Sequence, residues 1–205
     1  MKNKHLLPII VALMPLMSNA QSEVGSLNIQ PKIGLNIATM PAGDAKSRKA
    51  FAAGVEAEYF VHQNLSLSVG AIYSQQGFRD SKEIGITDMA APDADCNFIL
   101  DYINIPIMAN IYASNGLAVK AGIQPGFRIR SKFKLTADGT TINADNFTRN
   151  FDLAIPLGVS YEFNNLQFDI RYNIGITNAT RDIYTESGDA KNRVVQITLG
   201  YKFWL

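Results

Sequence analysis

Cysteine is almost absent from this 205-residue chain: Cys96 stands alone, so no internal disulfide staples the fold. Histidine is nearly as scarce, with His62 the only one beyond the first few residues, which leaves a Ser-His-Asp constellation without support. After residue 20 no apolar run approaches the ~20 residues that a membrane-spanning helix requires. An excess of one charge is missing as well. Nineteen Lys and Arg stand against eighteen Asp and Glu, which argues against a nucleic-acid partner.

What is present begins with a leader-like start. Lys2, Lys4 and His5 precede an apolar stretch from Leu6 to Met17, and Ser18-Asn19-Ala20 fits a small-x-small cleavage site. The stretch is too short to span a bilayer and carries Pro8 and Pro15. Residues 1–20 are therefore expected to be a cleaved signal peptide, with 21–205 as one exported domain. Gln21 occupies the position where an acyl anchor would need cysteine.

The last residues alternate up to the carboxyl terminus. Val195, Ile197, Leu199, Tyr201, Phe203 and Leu205 fall on one face of a strand, and Gln196, Thr198, Gly200 and Lys202 on the other. The same period of two recurs in 29–37, 51–59, 65–74, 103–111, 117–130, 151–162 and 166–176. With 194–205 these make eight strands, the even number that a closed antiparallel barrel needs. Links of two lengths alternate between them. Tight turns fall at 61–64, 114–116 and 163–165, the last two carrying Asn-Gly and Asn-Asn, which suit positive φ, while 40–49, 79–98, 131–150 and 177–193 are long and polar. Thr136 to Thr140 reads as a hairpin turn that extends the strands on either side.

A soluble barrel or sandwich alternates equally well but points its apolar face inward. Here the polar faces carry Glu56, Glu58, Lys120, Arg128, Arg130, Asp152, Asp169 and Arg171 at mid-strand, a set expected to form a charge network in a polar lumen. Lys32, Glu162 and Lys202 fall on the same faces. Aromatics mark the strand ends: Tyr59, Tyr112, Tyr161, Tyr201 and Phe203 toward the short turns, and Phe51, Tyr73, Phe127 and Phe151 toward the long links. Such bands suit membrane interfaces. The expected fold is an all-β, eight-stranded, antiparallel up-and-down transmembrane barrel, whose lumen side chains fill.

No catalytic, metal or cofactor set emerges. His62 falls in a tight turn, away from the long links. Asp88, Asp93, Asp95 and Asn97 suggest a calcium loop, but Phe98 stands where an EF-hand needs glycine and Asn104 where it needs glutamate. Asn178-Ala179-Thr180 matches a glycosylation acceptor that is uninformative in a bacterial envelope.

Lys32-Ile33-Gly34-Leu35-Asn36, Tyr73-Ser74-Gln75-Gln76-Gly77, Tyr102-Ile103-Asn104-Ile105-Pro106 and Gly122-Ile123-Gln124-Pro125-Gly126 resemble the PorT-type outer-membrane β-barrel family of Bacteroidota. The resemblance implies a small outer-membrane barrel, with a name-giving member that assists type IX secretion, and carries no catalytic or ligand residues. Two functional classes stay open. One is a plugged barrel with a structural or interaction role at the envelope, accessory to secretion; the other is a narrow channel for a small solute or ion. The partners expected are outer-membrane lipids, envelope or secretion proteins, and the barrel assembly machinery acting on the C-terminal strand. Both termini are expected in the periplasm.

Overall fold

The computed structural model describes residues 23–40, 46–80, 96–114, 116–135, 140–179 and 191–205. The leader at 1–20, Asp88, Asp93, Asp95 and the turn at 136–139 lie outside the described residues. The strands are β1 Leu27–Thr39, β2 Lys46–His62, β3 Leu65–Asp80, β4 Cys96–Asn104, β5 Ile107–Ser114, β6 Leu117–Leu135, β7 Thr141–Asn143, β8 Phe151–Phe163, β9 Leu166–Asn178, β10 Lys191–Tyr201 and β11 Phe203–Trp204. A 3-10 turn, Asp145–Phe147, lies between β7 and β8.

Sequential strands pair antiparallel around a ring that closes where β1 meets β10, from Lys32 opposite Gly200 to Thr39 opposite Arg193. β4 and β5 form one wall strand interrupted at Pro106, which has no N–H to give the ladder. Its carbonyl still accepts from Gly70 N–H at 3.0 Å, and Ile105 N–H donates to Pro125 O at 2.8 Å. β10 and β11 are likewise one strand broken at Lys202, whose N–H donates to Asn165 O at 2.7 Å. The wall thus has eight strands and no free edge. At the tight turns Gly116 and Asn164 adopt φ of 81° and 55°, as the Asn-Gly and Asn-Asn pairs demand. β1 begins and β11 ends at the short-turn end, since Leu27 stands opposite Tyr59 and Asn28 opposite Trp204.

The strands run past their expected ends. β3 reaches Asp80 and β4 starts at Cys96, within what reads as a loop, and β6 continues to Leu135. Lys132, Phe133 and Lys134 pair with Asn143, Ile142 and Thr141 of β7, which fits the expected hairpin at its flanks. The return to β8 then breaks into the 3-10 turn instead of staying in the wall.

Side chains are sorted inside out relative to a soluble barrel. The outer wall is apolar, with Ile33 and Leu35 at 58% and 59% exposure, while Gln30, Glu56, Lys120, Asp169 and Arg171 inside are at most 2% exposed. An apolar wall of this extent is not compatible with water but matches hydrocarbon. No helix among the described residues is long and apolar enough to cross a membrane, so crossing falls to the strands. Tyr59, Tyr161, Tyr201 and Phe203 ring one end of the wall and Phe51, Phe127 and Phe151 the other. Tyr112 departs from the expected belt. It shares the face of Asn110 and turns inward, where its hydroxyl donates to Glu58 Oε1 at 2.7 Å.

Leu199 lies on the outer wall between Ile33 and Phe168. Leu199→Arg should cost about 2–4 kcal/mol near mid-bilayer, whereas Leu199→Ile should be close to neutral. Urea titration of the refolded protein, read by the mobility difference between unboiled and boiled samples, checks both. Equal behaviour of the two variants would mean that this face does not meet lipid.

Candidate functional site

Even-numbered positions of β1–β5, β8 and β10, those of β6 as far as Arg128, and odd-numbered positions of β9 point into the barrel over most of each strand, so the lumen is built by parity from residues far apart in sequence. At its centre five charged side chains from β1, β2, β6 and β9 meet. Glu56 accepts from Lys32 Nζ at 3.0 Å and Lys120 Nζ at 3.2 Å through Oε1, and from Arg171 Nη2 at 2.7 Å through Oε2. Asp169, two residues before Arg171 on the same face, accepts from its Nε at 2.7 Å and its Nη2 at 2.9 Å. Lys120 Nζ donates to Asp169 Oδ2 at 2.8 Å, and Lys32 Nζ reaches it at 3.5 Å. Gly158 stands opposite Arg171 in register. A Cβ at residue 158 would come within 3.0 Å of Arg171 Cγ, so glycine there leaves the guanidinium stem its room.

A second cluster lies nearer the short-turn end, centred on Glu58. Lys202 Nζ approaches Glu58 Oε2 to 2.9 Å and donates to Glu162 Oε2 at 2.6 Å. Gln30, Ser66 and Asn110 also donate to Glu58, at 2.7, 2.5 and 3.2 Å. The ammonium of Lys202 sits 5.5–5.8 Å from the ring centres of Phe60, Tyr112 and Trp204, within cation–π range. The central cluster has three cations and two carboxylates, and the second has one cation and two carboxylates. Together they hold four of each, so the lumen core is formally neutral. That matters because an unpaired charge out of water is costly, while paired and hydrogen-bonded charges are tolerated.

The eight residues expected to form one network therefore separate. Glu56, Lys120, Asp169 and Arg171 come together, joined by Lys32. Glu58 belongs to the Lys202 cluster. Asp152 is bound by Thr177 Oγ1 at 2.7 Å and Asn192 Nδ2 at 3.1 Å. Arg128 points to the loop end, where Nη2 donates to Asn150 Oδ1 at 2.5 Å, Nε donates to Arg149 O at 3.1 Å, and Nη1 pairs with Asp145. This hydrogen bond to Arg128 holds the Asp145 carboxyl below the usual carboxylate range. Arg130 leaves the lumen altogether. A bulge opposite Asp101 and Tyr102 lets β6 gain one residue, parity inverts beyond it, and Arg130 stands on the outer wall with its side chain 57% exposed, 3.6 Å from Asp101. Such re-aiming is what a bulge does.

The lumen is also layered in a way that polar-face counting misses. Above the charges, Met40, Phe78, Phe98, Leu100, Tyr102, Ala144 and Ala179 form a buried apolar cluster that Phe133 joins. Phe98 packs against Phe78 and Phe133 at ring separations of 5.2 and 4.5 Å. His62 lies at the short-turn end with its Nδ1 3.4 Å from Asn64 N. Among the described residues no group of three or more His, Cys, Asp or Glu is placed to hold a metal ion.

This fold has solved counterparts. The chain is similar to Ail, the attachment invasion locus protein of Yersinia pestis, which was solved in complex with the heparin analogue sucrose octasulfate; the match covers 88% of this chain and 100% of Ail at 15% identity and a TM-score of 0.51. Neisserial surface protein A matches over 86% of this chain and 97% of its own, at 16% identity and a TM-score of 0.52. Both likenesses are of fold alone. No curated protein matches the sequence. The outer membrane protein beta-barrel domain family matches residues 19–181, a span that holds seven of the eight wall strands and all but one of the lumen charges described above, and the chain belongs to that family.

Proposed function

We propose that this outer membrane barrel is a non-conducting scaffold of the envelope, with a structural or interaction role and no catalytic one. The observation that carries this reading is the neutral lumen core, in which four cations and four carboxylates bind one another. An ion crossing an eight-stranded barrel must displace side chains that already fill it, and here it must also break ion pairs shielded from water. Apolar layers at both ends, Phe78 with Phe98 and Phe133, and Phe60 with Trp204, add to the barrier.

In this reading residues 1–20 are a leader removed on export, the short turns and both termini face the periplasm, and the long links face outward. The rigid wall then serves to hold those links for protein partners, because binding specificity is usually carried by loops on a fixed frame. The C-terminal strand is the segment offered to the assembly machinery. The resemblance to PorT-type barrels directs the choice of partner toward a secretion assembly. The transport alternative requires a wet path that the lumen geometry does not favour.

Three outcomes follow. In planar bilayers the purified barrel should give no discrete current steps; ion-selective steps that change with Glu56→Ala would make it a channel. Glu56→Gln leaves Lys32, Lys120 and Arg171 with Asp169 as their only close carboxylate among the described residues, and breaking a buried pair in this way should cost about 3–5 kcal/mol, read as a lowered urea midpoint in detergent micelles. A midpoint unchanged from the parent would mean that the lumen is solvated. Finally, a strain without the gene should lose a defined set of secreted or surface-attached proteins with its outer membrane intact; an unchanged set would remove the secretion role.

A further inference from the structure

The charges inside the barrel are balanced, but those on its outer face are not. Among the described residues, outward-facing cations occur only at the loop end of the wall. At the short-turn end the outer face offers Tyr59, Tyr161, Phe163, Leu166, Tyr201 and Phe203. At the loop end, β2, β3, β4 and β6 set Lys46 opposite Arg79, Arg79 opposite Asn97, and Asn97 opposite Lys134. Lys132 follows two residues below Lys134, and Arg130 two below that. Lys46, Arg79, Arg130, Lys132 and Lys134 are all exposed. Lys49 and Arg193 carry the pattern around the other side, opposite Ile37 and Thr39 of β1. The one carboxylate in the patch whose side chain is described, Asp101, is buried and accepts from the Tyr73 hydroxyl at 2.9 Å.

The height of this patch identifies its occupant. Tyr73, Ile103 and Phe127 lie in one register row near the loop end of the apolar wall, with Ile129 exposed just beyond it. Because of the bulge, Phe127 to Arg130 spans only Ile103 to Asp101 on the facing strand, about 7 Å, and the long arginine side chain carries its guanidinium on to the headgroup layer. Lys132 and Lys134 continue outward at steps of roughly 7 Å. Resting on the outer-membrane reading above, we infer that this collar binds the phosphates of outer-leaflet lipid, with the β6 strip Arg130, Lys132 and Lys134 as its densest part. Arginine forks match phosphate oxygens, and lysine adds compact charge on a long stem. The bulge in β6 is what makes the strip, because without it these three side chains would point into the lumen. The rival occupant is the chain itself: segments 41–45, 81–95, 136–139 and 180–190 contain nine acidic residues against Lys82 and Arg181.

The full-length barrel, refolded and incubated with bisphosphorylated lipid A or its dephosphorylated form, is delipidated in mild detergent and its retained lipid is counted by native mass spectrometry. Wild type should keep at least about tenfold more of the phosphorylated lipid, since each basic residue at an anionic surface adds to binding. R130Q/K132Q/K134Q should lose most of that preference, and R130K/K132R/K134R should keep it, with unboiled gel mobility confirming that each has folded. Equal retention of the two lipids by wild type, or an undiminished preference in the glutamine variant, overturns the inference. So does a preference that appears only after Asp88, Asp93 and Asp95 are changed to Asn, which would give the patch to the chain's own acidic segments. If unboiled and boiled wild type migrate alike, the barrel reading fails first, and the collar with it.

Discussion

In hydrocarbon, a backbone N–H or C=O without a partner costs several kcal/mol and no water can relieve it. A sheet can satisfy that constraint only by having no edge. Here the requirement is met by the meeting of β1 with β10, which joins residues 32–39 to 193–200. The two interruptions in the wall obey the same rule. At Pro106 and at Lys202 the ladder loses its regular form, yet the neighbouring amides still find carbonyls at 2.7–3.0 Å.

Closure with eight strands fixes the rest. It makes one face of every strand convex and lipid-exposed and the other concave and crowded. The molecule is consequently a soluble protein turned inside out, with a polar core of Glu56, Asp169, Lys32, Lys120 and Arg171 and a surface of Ile, Leu and Val. A narrow interior has no room for a hydration shell around each charge. Neutrality must come from side chains alone, and each inward acid is therefore matched by a base or by several hydrogen-bond donors. Aromatic packing at both mouths, around Phe98 and around Phe60, keeps this polar layer away from bulk water.

Much of this was legible in the alternation. Parity read from the sequence placed Glu56, Glu58, Lys120, Asp169 and Arg171 on the concave side, and the alternation of short and long links gave the up-and-down order. Three features escaped it, each for a physical reason. At 98–103 the run Phe-Ile-Leu-Asp-Tyr-Ile is apolar on both faces, because the lumen above the charges is itself apolar. A period-two signal vanishes there, and β4 looks like the end of a loop. The bulge beyond Arg128 inserts one residue, and nothing in Phe-Arg-Ile-Arg-Ser-Lys marks where parity flips; the evidence is the neighbour strand, in the pairing of Asp101 with Arg130 and Tyr102 with Arg128. Tyr112 was misread because an aromatic at a strand end looks like an interfacial residue whichever way it faces. The pairing of particular charges was beyond reach, since that depends on stagger between strands, which single-strand patterns do not contain.

The central cluster also has a temporal side. Lys32 meets Asp169 across 137 residues, and Glu56 meets Arg171 across 115, so the first two strands supply charges whose counterparts arrive near the end of the chain. A sheet that contained only β1, β2 and β3 could already join Lys32 to Glu56 across two neighbouring strands, but it would leave Glu56 without Lys120 and Arg171 and Lys32 without Asp169. The charge balance of the lumen is therefore a property of the finished ring and of no part of it, and the last strands complete an interior that the first ones begin.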